Sequence, residues 1–209
     1  MLTDSAVVLH SLPLFPLGTV LYPGGYLPLQ IFEVRYLDMM KKCIQAGAPF
    51  GVVALTQGSE VRGPTNHESF ADVGTLATID NHQSPQPGLL LVHCIGAQRY
   101  RITHREQLKH GLWIADVEHI AADQAVKIPQ ELLHCATLLR KIIQSLPESA
   151  QQHYLDAPQD SYDDCAWIAH RWCELLPMPA QLKQRMLELD NPIVRLELIS
   201  DMLDKFQLI

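Results

Sequence analysis

The segment from residue 12 to residue 40 constrains the fold more than any other part of the chain, and it reads LPLFPLGTVLYPGGYLPLQIFEVRYLDMM. It contains two short apolar runs, separated by proline and glycine, each long enough for one strand. Pro16 and Pro23 have no backbone N–H, so we expect them at strand ends, edges or bulges. The residues Tyr22-Pro23-Gly24-Gly25 are typical of a tight turn, because proline fixes φ and glycine accepts positive φ. The segment therefore predicts two strands joined by a turn.

The remainder of the first half, up to about residue 120, is also strand-like, apart from one helix near residues 34–46. In that helix Tyr36, Met40 and Ile44 indicate a buried stripe, while Lys41 and Lys42 fall on the solvent side. Short β-prone runs follow it, at residues 50–55, 74–79, 89–96, 99–103 and 112–118. Turn-rich stretches lie between them, at residues 57–69 and 81–88. Many short strands with one inserted helix predict a small, curled β-barrel over residues 1–120.

The periodicity changes after Ala121, and residues 121–209 are predicted to form a helical bundle. Pro129 suits the first turn of a helix. The apolar residues after it are spaced by threes and fours: Leu132, Ala136, Leu139, Ile143 and Leu146. Ser161 and Asp164 form a candidate capping pair before Trp167 and Trp172. Asn191-Pro192 is a start signal for a last amphipathic helix.

The opening segment resembles the start of the amino-terminal, substrate-binding domain of Lon-type ATP-dependent proteases. The resemblance rests on Phe15-Pro16, Tyr22-Pro23-Gly24 and the run Ile31-Phe32-Glu33-Val34-Arg35-Tyr36. Weaker similarities follow at residues 50–53, 73–77, 92–102 and 182–203. The resemblance covers nearly the whole chain, but only one part of a Lon protease. It implies an α+β fold in which a PUA-like small β-barrel with an inserted helix precedes an α-helical bundle.

The catalytic parts of a Lon protease have no counterpart in these residues. A phosphate-binding loop ends in Gly-Lys-Ser/Thr, and no Gly-Lys dipeptide occurs in the sequence. A Lon peptidase needs a serine that a lysine activates. Ser200 and Lys205 are five residues apart on a predicted helix, which turns their side chains apart by roughly 140°. We therefore expect a stand-alone, non-catalytic binding domain rather than an enzyme.

Composition predicts an ordered protein of the reducing cytoplasm. The apolar fraction of 47% supports a substantial core, and 19% charged residues is low for a disordered chain. The five cysteines are odd in number and scattered, which does not suit a disulfide framework. The start of the chain lacks the pattern of a signal peptide, and no apolar run approaches the roughly 20 residues of a membrane span. The net charge of −7 argues against nucleic acid as the main partner.

The apolar, proline-rich opening segment is the candidate polypeptide-binding surface. Its aromatic residues, among them Phe32, exceed what two short strands hide on one face. An exposed Phe15 or Tyr22 beside unpaired strand edges would suit an extended, unfolded peptide. The candidate binding residues are Phe15, Pro16, Tyr22, Pro23, Gly24 and Tyr26.

Glu33 and Arg35 are predicted to form a structural ion pair. They lie two residues apart at a junction between strand and helix, where a partly buried pair would tie the helix to the barrel. Arg99 or Arg101 is a candidate additional partner.

Other polar groups suggest alternative functions. Arg99 and Arg101 share one face of a predicted strand, which would suit a small-molecule or RNA-binding PUA-like module. A hydrolase would need Asp163 or Asp164 to reach His170. The adjacent His-Cys pairs at 93–94 and 134–135 lack the spacing of a zinc site, so we expect no metal and no cofactor.

The resemblance implies that the chain recognises unfolded polypeptide or exposed apolar segments. It would act as an adaptor that delivers clients to a protease or chaperone, or as a regulator of proteolysis. The last residues, Phe206-Gln207-Leu208-Ile209, form an apolar end through which we expect a homodimer. In full-length Lon proteases the corresponding helix continues towards the ATPase.

Overall fold

The computed structural model describes residues 7–58 and 68–208, and they form two compact units. The first unit extends to Ala122 and the second begins at Asp123. Among the described residues the first unit contains six strands and one α-helix, and the second contains five α-helices and two short 3-10 helices. The predicted α+β class is confirmed. Of the predicted turn-rich stretch 57–69, residues 59–67 lie outside the described part of the chain.

The strands of the first unit pair in a closed circuit. In chain order they are β1 (Val8–Leu17), β2 (Tyr26–Ile31), β3 (Phe50–Gln57), β4 (Ser69–Gln86), β5 (Leu89–Gln107) and β6 (Trp113–His119). The sheet order is β2-β5-β4-β3-β1-β6, and β6 also pairs with β5. Five strands therefore return on themselves, while β2 is attached to the circuit through β5. The β1–β3 pairing is parallel and the other pairings are antiparallel.

Successive side chains of a strand point to opposite faces of the sheet, and in this sheet residues on both faces are buried. Leu14 contributes to one hydrophobic cluster, with Phe70, Tyr100 and Val117. Its neighbour Phe15 points to the other cluster, which α1 (Val34–Ala46) covers. That helix buries Tyr36 and Met40, as its periodicity predicts, and it ends at Gly47, which has φ +58°.

Two predicted features of the first unit are wrong. The runs at 89–96 and 99–103 are one strand, β5, which continues across Gly96. The predicted loop at 81–88 is the far end of a long hairpin, in which β4 extends to Gln86 and turns at Pro87-Gly88. Long ladder pairing between β4 and β5 overrides the local turn signals there.

The second unit contains α2 (Leu133–Ser145), α3 (Glu148–Leu155), α4 (Cys165–Leu175), α5 (Ala180–Glu188) and α6 (Pro192–Lys205). Its core contains Leu139, Ile168, Trp172 and Leu196, all fully buried, together with the buried charged side chains Arg171 and Arg195. Among the described residues, no helix combines the length and the apolar character that crossing a membrane requires.

Side-chain caps define where two of these helices begin. Asn191 accepts hydrogen bonds from the backbone N–H groups of Ile193 and Val194, as its sequence signal predicts. Asp164 itself caps α4 by accepting from the Trp167 N–H, so the predicted capping pair with Ser161 is wrong. At the end of α6, Phe206 and Leu208 are exposed, and Ile209 lies outside the described residues.

Candidate functional site

Three of the predicted polypeptide-binding residues are buried. Tyr22 has no exposed surface, and Phe15 and Pro16 are also inside the first unit. The Phe15 ring meets the Tyr36 ring edge-to-face, with 4.2 Å between centroids. The expectation that Phe15 or Tyr22 is exposed is therefore wrong, because each ring fills the core beneath α1 or beside β5.

The turn that follows Tyr22 is held by close backbone contact with β5. Gly24, with φ +70°, donates its N–H to the Gly96 carbonyl at 2.7 Å, and Gly96 donates to the Gly25 carbonyl at 2.8 Å. Gly24 is exposed and Pro23 is half-buried. Tyr26 is half-buried and lies 5.4 Å from the His93 ring, between centroids. Of the six predicted residues, only Pro23, Gly24 and Tyr26 reach the surface.

The ion pair between Glu33 and Arg35 is present, with Arg35 Nε 3.0 Å from Glu33 Oε2. The buried guanidinium also donates to the Gly111 carbonyl at 2.7 Å and to Glu68 Oε1 at 3.3 Å. Arg35 therefore joins the start of α1 to the approaches of β4 and β6. The charged partners of Arg35 are the carboxylates of Glu33 and Glu68. The prediction that Arg99 or Arg101 joins this pair is therefore wrong.

Two exposed apolar side chains, Phe32 and Val34, alternate in sequence with the members of that ion pair. Phe32 is 57% exposed and Val34 is 73% exposed, although both belong to the motif that carries the family resemblance. Phe32 follows the last residue of β2, and Val34 is the first residue of α1. Exposed apolar side chains of this kind can contribute to a binding surface when they lie beside other apolar groups.

A groove lies between α1 and the far end of the β4–β5 hairpin, and its volume is about 670 Å³. The helix supplies Leu37, Lys41 and Ile44 to one wall. The hairpin supplies the other wall through its two prolines and the start of β5: Pro85, Pro87, Leu89 and Leu90. The apolar side chains of this lining are interspersed with the polar ones of Gln45, Ser84 and Gln86, and the groove is open to solvent on one side.

Phe32 and Val34 do not line the groove, but they lie close in the chain to the helix that forms one of its walls. Val34 and Leu37 are three residues apart, so they are neighbours on one face of α1. Ile31 is the register partner of Leu90, which brings Phe32 to the hairpin wall. We refer to Phe32 and Val34, together with this lining, as the apolar groove surface.

Lys41 and His82 are the ionisable side chains in the groove lining. A smaller cavity of about 260 Å³ shares Ile44 and His82 with the groove and contains Asp80 and Cys43. Burial raises the pKa of the Cys43 thiol, so this sulfur is not an activated nucleophile. The site is therefore suited to contact and ion pairing rather than to covalent chemistry.

The basic strand predicted for the alternative module does not form a patch. Arg99 is only 3% exposed, and its Nη2 donates to the Ala121 carbonyl at 3.4 Å. Arg101 is exposed, and Tyr100 is fully buried on the other face with its hydroxyl donating to the Val52 carbonyl. A surface for RNA would need both arginines and an accessible ring.

Among the described residues, neither Asp163 nor Asp164 is paired with His170 as a hydrolase would need. Asp163 lies beside Arg140, and Asp164 is occupied in capping α4. His170 instead lies with its Nε2 3.6 Å from Asp123 Oδ2. Within residues 7–58 and 68–208, no three or more His, Cys, Asp and Glu side chains cluster in a way that could hold a metal ion.

The sequence alone does not predict the groove, because the residues of its two walls are far apart in the chain. The signals that could have found it are the exposed prolines of the 81–88 stretch and the leucine run that starts at Leu89. Neither signal specifies that the hairpin reaches α1.

Comparison with known proteins places these features in a family. A family model described as the ATP-dependent protease La (LON) substrate-binding domain matches residues 11–205. The crystal structure of a Lon N-terminal domain protein from Xanthomonas campestris is similar, with a TM-score of 0.72 and 28% identity over 92% of this chain and 98% of that chain. The N-terminal domain of Mycobacterium avium complex Lon protease has a TM-score of 0.56 at 16% identity, over 91% of this chain and 96% of that chain. The second likeness concerns the fold alone.

Proposed function

The chain belongs to the family of the ATP-dependent protease La (LON) substrate-binding domain, and on this premise we propose that it binds polypeptide segments with exposed apolar side chains at the apolar groove surface. The observation that carries the proposal is the exposure of Phe32 and Val34 beside a groove with an apolar lining. A folded partner hides most of its apolar residues, whereas an unfolded or extended segment presents them.

The shape of the groove supports an extended occupant. One wall is a helix face and the other is a hairpin, so a chain can lie lengthwise between Leu37 and Leu89. Its side chains would cover Phe32 at one end and the prolines of the hairpin along the side. Burial of apolar area supplies the main favourable free energy of such a complex, at about 25 cal/mol per Å².

We propose further that the domain acts without chemistry of its own, as an adaptor or regulator of proteolysis that holds clients for a protease or chaperone. Support comes from the matched family, which is a substrate-binding domain, and from the groove lining, in which Lys41 and His82 are the titratable groups. Ser84 also lies in the lining, but among the described residues no hydrogen bond joins its hydroxyl to Lys41 or His82, so nothing there activates it.

The test is fluorescence anisotropy with a labelled, permanently unfolded polypeptide, with a folded protein of similar charge as the control ligand. The variant Phe32→Ser/Val34→Ser is compared with Leu155→Ser, since Leu155 is 59% exposed but lies in α3 of the other unit. The double variant is expected to weaken binding about tenfold or more, because two apolar contacts of about 1 kcal/mol each are lost.

Three further results decide the proposal. Binding by wild type that persists at high salt supports apolar recognition, since screening weakens only the ionic part. Equal losses in Phe32→Ser/Val34→Ser and Leu155→Ser would place the binding surface elsewhere. No binding by the wild-type protein would overturn the proposed function.

A further inference from the structure

We propose that the apolar groove surface prefers segments in which an acidic side chain stands among apolar ones, and that Lys41 is the residue that selects it. This inference rests on the proposed function and specifies the class of polypeptide that the groove takes. It follows from the position of Lys41 and from the charges around it.

Lys41 lies in the middle of the helix wall. Leu37 is four residues before it and Ile44 three residues after it, so the lysine is flanked by an apolar neighbour on each side of the same face. Its four-carbon stem adds to the apolar lining, and its ammonium can extend into the open groove. An occupant that fills the groove must pass this charge.

The ammonium group is available for an occupant. Among the described residues Lys41 forms no ion pair, although Asp38 lies one turn earlier on α1. The other titratable groups that face this region are on the hairpin: His82 in the groove lining and Asp80 in the smaller adjoining cavity. The hairpin wall therefore offers no carboxylate in the groove lining that would neutralise Lys41.

Ligand carboxylates complement this arrangement better than ligand cations. A lysine or arginine in the occupant would meet Lys41 among apolar side chains, where like charges repel more strongly than in water. A glutamate or aspartate would gain an ion pair at the same position. Since the chain as a whole carries a charge of −7, a preference for acidic segments cannot come from its overall field and must come from a local group.

The exposure of Lys41 to solvent limits how much its charge can change the affinity for a peptide. Lys41 is exposed, so one ion pair at this place changes affinity by about fivefold at most, and reversal of the charge doubles the effect on a logarithmic scale. The preference is expected to shrink as salt is raised, while the apolar part of the binding persists.

The experiment uses three labelled peptides that share one apolar sequence and differ only in a central Glu, Gln or Lys. Each is titrated into wild type, Lys41→Glu and the matched control Lys42→Glu. Lys42 is the adjacent exposed lysine of α1, and it does not line the groove. Lys42→Glu therefore changes the net charge by the same amount as Lys41→Glu but leaves the groove lining unchanged.

The expected order for wild type is Glu above Gln above Lys, with a difference in affinity of up to about fivefold between successive peptides. Lys41→Glu should invert that order, and Lys42→Glu should keep it. Equal binding of the three peptides to wild type, or an identical response of the two variants, overturns this inference. In either case, binding of the Gln peptide to wild type still supports the proposed function. Failure of all three peptides to bind overturns both.

Discussion

Gly96→Ala is the substitution whose effect the structure specifies most closely. A Cβ at position 96 would lie 3.0 Å from the carbonyl carbon of Tyr22, closer still to the carbonyl oxygen, and 3.1 Å from Leu21 Cγ. The atoms in the way are mainly backbone, and Tyr22 is fully buried, so a side-chain rotation cannot relieve the overlap. The turn from Tyr22 to Gly25 must move away from β5.

The cost can be worked out from what that movement breaks. Two backbone hydrogen bonds join the turn to Gly96, one from the Gly24 N–H and one to the Gly25 carbonyl, and each contributes about 1 kcal/mol net. Overpacking around Tyr22 adds about 1–3 kcal/mol. We therefore expect Gly96→Ala to lower the free energy of unfolding by about 3–5 kcal/mol.

The assay is urea-induced unfolding followed by circular dichroism, with Gly47→Ala as the control. Gly47 has φ +58° and no atom within 4 Å of an added Cβ, so that variant carries backbone strain alone, about 1 kcal/mol. A loss for Gly96→Ala no larger than that for Gly47→Ala would refute the reasoning, because the close approach of the turn to β5 would then not be needed in solution.

Three further substitutions test polar groups of the first unit. Arg35→Met is expected to lower the free energy of unfolding by about 3 kcal/mol in the same urea assay, because it leaves the buried Glu68 without its cation. Glu33→Gln should lower it by less than about 1 kcal/mol and leave polypeptide binding per folded molecule unchanged. Equal losses for the two variants would contradict this difference. Burial, followed by the charge of Asp80, raises the pKa of the Cys94 thiol to about 12 from its ordinary 9.0. The stability from the protonated thiol is therefore complete below pH 9 and lost as pH rises towards 12, because the unfolded chain releases the proton first. Between pH 9 and 12 the free energy of unfolding of Cys94→Ala should therefore fall less steeply with pH than that of wild type, by about 1.4 kcal/mol per pH unit. If the two proteins have the same slope, the folded chain accepts the Cys94 thiolate.

Local chemistry was enough to predict much of the fold. The glycines and proline of the Tyr22–Gly25 turn, the apolar stripe of α1 and the Asn191 cap each act within a few residues, so their effects are visible in the sequence. The length of the β4–β5 hairpin was not visible. Its far end is rich in proline and other turn-forming residues, and only pairing with β5 keeps residues 81–86 extended.

The site was harder to predict, because aromatic composition does not reveal which ring faces water. Phe15 and Tyr22 have the same sequence signature as Phe32, yet the first two are buried and the third is exposed. The difference arises from α1, which covers the face that carries Phe15 and leaves its own first residue, Val34, uncovered. Coverage by another element is a tertiary property, and strand periodicity alone does not contain it.

The opening motif therefore has two separable roles. Phe15, Tyr22 and the glycines of the turn make contacts that the first unit needs in order to fold, and their burial prevents them from meeting a client. Phe32 and Val34 belong to the same motif but are exposed, so their side chains contribute little to the core and are free to serve the proposed binding surface. Membership of the family fixes the framework. If the proposed function holds, the choice of client depends on exposed positions such as Phe32 and Lys41, where a substitution is expected to change affinity at little cost in stability.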